Sequence, residues 1–197
     1  MNTLLHLSNT TDLQHLPMLQ VLSPETRQSF LGAVSLSQYP RYEYLFQPGQ
    51  TVKYGYFILQ GAVRQYYLQD GKEVVTRLLL EGDLCTAFYS FLSEKPCYEY
   101  GELVEDSVLA VLSHHDVERL CSQHLEIANF ERKITEQYLI QEHERAISLQ
   151  FQSVQERYEH LMQSRPDVFL RFSLGSIASY LGMSQETLSR LRAKKIR

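Results

Sequence analysis

The period of the hydrophobic positions changes twice along this chain and divides it into three stretches. Up to about residue 37 the apolar residues fall at helical intervals. Phe30, Leu31 and Val34 share a face, with Ser23 as N-cap and Pro24 at the first helical position. From Tyr42 to Ser113 short β-rich runs take over, such as YFIL, AVRQYYL and KEVVTRLLL, punctuated by glycine. Gly49, Gly61, Gly71 and Gly82 recur every 10 to 12 residues, the rhythm of an antiparallel sandwich or barrel. Asp70-Gly71 predicts a tight hairpin, since glycine accepts positive φ without steric cost.

After Ser113 glycine is missing until Gly175, and the pattern predicts a short helix running into a long one. Leu120, Ile127 and Ile134 stand seven apart with Phe130 between them, as in the seam of a helix pair. The seam fades at Gln137, Gln141, Glu144 and Ser148. Leu120, Ile127, Phe130 and Ile134 are the expected homodimer contact; the competing reading packs them on the chain's own β domain. A further helix carries Phe151, Val154, Tyr158, Leu161 and Met162 and ends near Ser164, before Pro166.

The segment SLGSIASYLGMSQETLSRLRAKK reads as two helices about a tight turn. Ile177, Ala178 and Leu181 form one inner face, Gly182 makes the turn, Ser184 caps the second helix, and Leu188 and Leu191 point back inward. This is helix-turn-helix spacing. Gln185, Glu186, Ser189 and Arg190 are left outward near the start of the second helix, where base edges are read in a major groove. Arg190 suits guanine, Glu186 the cytosine amine and Gln185 adenine. Ser184, Thr187, Arg192, Lys194, Lys195 and Arg197 are the expected phosphate contacts. Against this, Glu186 and Arg190 are also an ordinary i,i+4 helix pair.

Charge sharpens the picture. The net charge is −4, yet residues 171–197 carry +5 and residues 1–170 carry −9, so a basic end sits on an acidic body. Hydrophobic residues make up 44%, which fits a packed globular chain, and no apolar run approaches the length of a membrane span. The first residues lack the basic start of a signal peptide, which makes the cytoplasm the expected compartment. Cys85, Cys97 and Cys121 form no CxxC pair and read as reduced, packed thiols. No nucleophile–base pair, phosphate loop or metal-ligand cluster stands out, so no enzyme activity, metal or cofactor is expected. His114, His115, Cys121 and His124 are side chains of haem-ligating type, but they read as solvated helix residues.

The motifs QPGQ at 47–50, YFILQGAVRQYY at 56–67, DGKE at 70–73, EGDL at 81–84 and IASYLGMSQETLSRLR at 177–192 resemble the Crp/Fnr family of bacterial transcription regulators. ERYEHL at 156–161 and the compact end are most similar to the short Bacteroidetes members. The resemblance implies an α+β chain with three parts. Residues 1–113 hold N-terminal helices and an antiparallel, cyclic-nucleotide-binding-like β-roll, residues 114–150 a dimerisation helix, and residues 151–197 a helix-turn-helix domain. It also implies a homodimer on a palindromic, TTGA-like operator in double-stranded DNA, read by a Glu-Thr-x-Ser-Arg core at Glu186, Thr187, Ser189 and Arg190. Gln185 replaces the arginine of Crp-type readers. An unidentified small-molecule effector and a contact with RNA polymerase are further partners this reading admits.

Departures from the family pattern carry expectations of their own. The family's Gly-Glu pair for the ribose falls on Thr86-Ala87, and its Arg-Ser/Thr pair for the phosphate on Cys97-Tyr98. A cyclic phosphate without its arginine leaves a desolvated charge unpaired, so no response to cAMP is expected. The candidate effector pocket is Thr86, Ala87, Phe88, Cys97 and Tyr98. Iron–sulfur sensing needs four cysteines, one more than the sequence has. No β-hairpin wing follows Arg197, so phosphate contacts are expected from the basic last turn. From a different class, the alternative is a ligand- or haem-binding sensor or scaffold whose last helices do not read DNA.

Overall fold

The computed structural model of the chain describes Leu13 and residues 19–195. The rest of the N-terminal helical reading, together with Arg197, lies outside the described residues. Helix α1 spans Pro24–Ala33, and Ser23 Oγ accepts the Thr26 amide at its start. Helical character was expected to about residue 37, but strand β1 (Ser35–Tyr39) begins sooner. It pairs antiparallel with β8 (Ser107–Ser113), and that ladder outweighs local propensity.

Between them run β2 (Tyr44–Phe46), β3 (Tyr54–Gln60), β4 (Val63–Gln69), β5 (Lys72–Leu79), β6 (Leu84–Cys85) and β7 (Tyr100–Leu103). They make two four-stranded antiparallel sheets, ordered β1-β8-β3-β6 and β2-β7-β4-β5. Phe46, Ile58, Val63, Leu79, Leu103 and Leu109 fill the space between the sheets. The β4–β5 hairpin turns at Asp70 (φ +51°) and Gly71 (φ +75°), the left-handed pair that matches strand twist. Gly61 is required for a different reason: a Cβ there would lie 2.0 Å from Ser107 Oγ.

A short helix, α2 (Phe88–Ser93), interrupts the β-rich stretch where the sequence pattern suggests only strands. Ser90 anchors it from the buried side, accepting the Val52 amide and donating to the Lys95 carbonyl. These tertiary bonds have no local signature in the sequence.

Helix α3 (His114–Gln123) breaks at the extended residue His124 and gives way to α4 (Leu125–Phe151), the expected short-then-long pair. The seam needs correction. Leu120 and Ile127 are 1% and 2% exposed, enclosed by the chain itself. Phe130 meets Phe30 edge-on at 6.2 Å, and Ile134 lines an internal cavity. The first half of α4 lies over α1 and the roll, so its heptad faces inward. Apart from Leu125 at its first residue, the large apolar residues that α4 leaves open come later, at Leu139, Ile140, Ile147, Leu149 and Phe151.

Beyond α4, a capping box closes on α5 (Val154–Ser164): Ser153 Oγ accepts the Glu156 amide and Glu156 accepts the Ser153 amide. Then follow α6 (Val168–Arg171), α7 (Leu174–Tyr180) and α8 (Gln185–Lys195). These helices share one core with the outer face of β4 and β5, where Tyr66, Val75 and Leu78 meet Leu161, Ile177 and Leu188.

Candidate functional site

Helices α7 and α8 cross tightly because a small residue sits at the crossing. Ala178 is buried beside Ile177, Leu181 and Leu188, which are 3% exposed or less. Gly182 takes φ +65°, and the Met183 amide returns to the Ala178 carbonyl at 3.0 Å. Ser184 Oγ accepts the Thr187 amide at 3.2 Å and lies 3.1 Å from Thr187 Oγ1. Both hydroxyls are therefore engaged in the cap, although phosphate contact was expected of them.

The side chains expected to read bases share the open face: Gln185, Glu186, Ser189 and Arg190 are all exposed. Its own amide and the Ser184 hydroxyl hold the Glu186 carboxyl below the ordinary range, with Arg190 assisting. This fixes an acceptor at the helix start. Arg192 is half-buried. The side chains of Lys194 and Lys195 lie outside the described residues.

Polar bonds that sequence reasoning missed fasten this pair of helices to the roll. Ser179 Oγ accepts the Val75 amide and donates to the Glu73 carbonyl, both at 2.9 Å. Arg145 on α4 donates to the Tyr180 carbonyl and to the Val75 carbonyl, both at 3.1 Å. Arg165 reaches Asp83 at 2.5 Å. Arg171 makes a double contact with Glu81 at 3.0 Å and a second ion pair with Glu105. Burial pushes the Glu81 carboxyl up, but Arg171 and the Gly61 amide outweigh it and hold the group below its usual range. Nothing local flags these residues, since every partner is at least 35 positions away.

The second candidate region divides. A cavity of about 270 Å³ lies between β3, β6, α2 and α4. Phe57, Leu84, Phe88, Ile134 and Tyr138 give it apolar walls, and Arg77 and Gln141 stand among them. Of the five expected pocket residues, only Thr86 and Phe88 line it. Ala87 and Cys97 are built into the roll core, and Tyr98 is 64% exposed, turned outward against Tyr89. Cys97 lies in the loop between α2 and β7, where its backbone exchanges hydrogen bonds with Gly49 and Gln50 and its thiol donates to Gln47, and alignment to a motif does not reveal these contacts.

Arg77, Tyr138 and Gln141 are the residues that were missed. Tyr138 stacks on Phe88 with ring centroids 3.7 Å apart, and Arg77 lies over Tyr138 while donating to Gln141 at 3.1 Å. A lone arginine inside the apolar run VVTRLLL was the available signal. Where a phosphate-binding arginine was looked for, Cys97 donates to the Gln47 carbonyl, and burial pushes its thiol up. Burial pushes Glu99 up to about 7; Arg77 opposes this and Glu142 reinforces it. Among the described residues no three metal-ligating side chains cluster, and no helix is long and apolar enough to cross a membrane.

Residues 36–124 match the cyclic nucleotide-binding domain family. Among solved structures, FixK2 from Bradyrhizobium japonicum is similar with a TM-score of 0.71 at 22% identity, over 82% of this chain and 83% of that one. The c-di-GMP responsive global regulator CLP from Xanthomonas campestris gives 0.68 at 19% identity, over 87% and 91%. The catabolite activator protein of Thermus thermophilus gives 0.58 at 22%, over 90% and 85%. No curated protein matches the chain in sequence. The chain carries a cyclic nucleotide-binding-type β-roll within the α+β fold of the Crp/Fnr regulators.

Proposed function

We propose that the protein is a homodimeric transcription regulator that reads a palindromic operator with α8, and whose roll does not respond to cAMP. One observation carries the reading. Buried Leu188 fixes the rotation of α8, and that rotation puts Gln185, Glu186, Ser189 and Arg190 together on the open face. Ile140 and Ile147, seven residues apart and exposed, offer the dimer contact that the first half of α4 does not. The roll's lack of a phosphate arginine, with Glu99 close to that position, supports indifference to cAMP. The apolar cavity beside α4 is where a different effector would bias the pairing of the long helices.

Gel-shift selection from random duplexes tests the reading. The expected product is a palindrome with half-sites one helical turn apart, bound by two chains. Enrichment of no sequence overturns it in favour of a sensor or scaffold. Calorimetric titration with cAMP should show no binding in the roll, and micromolar affinity there would contradict the second half of the proposal.

A further inference from the structure

A second cavity, of about 500 Å³, lies where β5, α4, α5 and the end of α7 meet; Arg77 and Gln141 stand between it and the apolar one beside α2. Four arginines line it: Arg77, Arg145, Arg157 and Arg165. Only Arg165 has a carboxylate within ion-pair distance among the described residues, namely Asp83. Glu142 and Glu144 also line the cavity, and neither forms an ion pair with the other three among the described residues.

Structural duties account for part of this cluster. Arg157 donates to the Leu181, Ser148 and Gln152 carbonyls, and Arg145 to those of Tyr180 and Val75, satisfying helix ends and a strand edge. They leave donors over. Arg77 Nη1 is buried with no hydrogen-bond partner, and Arg157 Nη2 makes no hydrogen bond among the described residues. A buried guanidinium donor without an acceptor is costly, and an acceptor-rich anion relieves it. The remaining wall includes Leu149, Leu161 and the Tyr180 ring.

We propose that this cavity binds a small phosphate ester, its phosphoryl group held by Arg77 and Arg157 and its body against the apolar wall. Such a ligand touches the roll, the long helix and the reading head together. Its occupancy therefore holds the head in its docked position.

Calorimetry and thermal unfolding of the full chain test this, with AMP, inorganic phosphate and adenosine as probes at constant ionic strength and without magnesium. AMP should bind one site per chain and raise the unfolding midpoint. Phosphate should bind more weakly, and adenosine should not bind. Phosphate binding as tightly as AMP also supports the anion site and assigns it to the free ion. Arg77→Met should weaken AMP about tenfold. Glu144→Gln, an exposed change with little bearing on folding, should tighten it by about threefold. Arg132→Gln, which removes an exposed cation of α4 outside both cavities, should leave it unchanged. Four outcomes overturn the proposal: no binding of AMP or phosphate at millimolar concentration, equal binding of adenosine, affinity indifferent to both charge variants, or loss of binding in Arg190→Ala, which would place the anion on α8.

Discussion

Ser179, on the first helix of the helix-turn-helix, accepts the amide proton of Val75 on an edge strand of the roll at 2.9 Å. The same hydroxyl donates to the Glu73 carbonyl, so one serine serves two edge groups of β5 that have no neighbouring strand. Ser179→Ala should lose about 1–2 kcal/mol, since the part-buried Val75 amide then lacks its partner while the exposed Glu73 carbonyl turns to water. Chemical denaturation measures the loss, and Ser179→Thr should restore most of it. Amide exchange at Val75 should accelerate in the alanine variant, and unchanged exchange there would show that the bond does not hold the head.

Arg171 links the head to Glu81 and Glu105, and all three side chains are partly exposed. Screening therefore limits its worth: Arg171→Met should cost roughly 1–2 kcal/mol at low salt. The difference between parent and variant should shrink as salt is raised. A cost that does not change with salt would identify lost packing rather than lost charge.

Glu99 provides a pH test. Its folded-state carboxyl, raised by burial from 4.5 to about 7, prefers its proton more than the unfolded chain does. The folded state gains from that preference fully below about pH 4.5, and the gain is lost as pH rises through 7. Glu99→Gln keeps the neutral shape at every pH. It should be near neutral at pH 5 and stabilise by on the order of 2–3 kcal/mol at pH 8, read from denaturation midpoints.

Two changes on α8, the helix proposed to read DNA, should differ in kind. Arg190→Ala should relax preference at one base pair and cost about 1–3 kcal/mol on the selected operator. Lys195→Ala should weaken every duplex alike and lower the slope of affinity against salt by about one unit. Quantitative gel shifts across a salt series distinguish the two.

What the sequence made legible was whatever repeats locally. The hairpin at Asp70-Gly71, the cap at Ser23, and the turn at Gly182 with Leu188 behind it each rest on a few neighbouring residues, and each stands where the pattern puts it. The heptad through Leu120, Ile127 and Ile134 was read correctly as an apolar stripe. Its partner was not, because periodicity records that a face is buried and not what buries it. The five residues named for the effector pocket separate for a related reason. Motif alignment assigns positions, whereas the loop contacts of Cys97 with Gly49, Gln50 and Gln47 turn it into the core and leave Tyr98 to solvent. Arg77, Arg145 and Ser179 acquire their roles only when distant segments meet.

The capping of β5 has a consequence for the life of the protein in a cell. An uncovered strand edge is a template on which any other chain can add a strand, and nature usually blunts such edges with charge, proline or a bulge. Here the blunting element is the helix-turn-helix itself, through Ser179, with Arg145 beside it. Undocking it thus also uncovers an adhesive edge, and a chain with a loosened helix-turn-helix should be prone to aggregate. Selection against aggregation then favours one that stays seated, which makes sound folding and the proposed DNA reading a single constraint on the same few side chains.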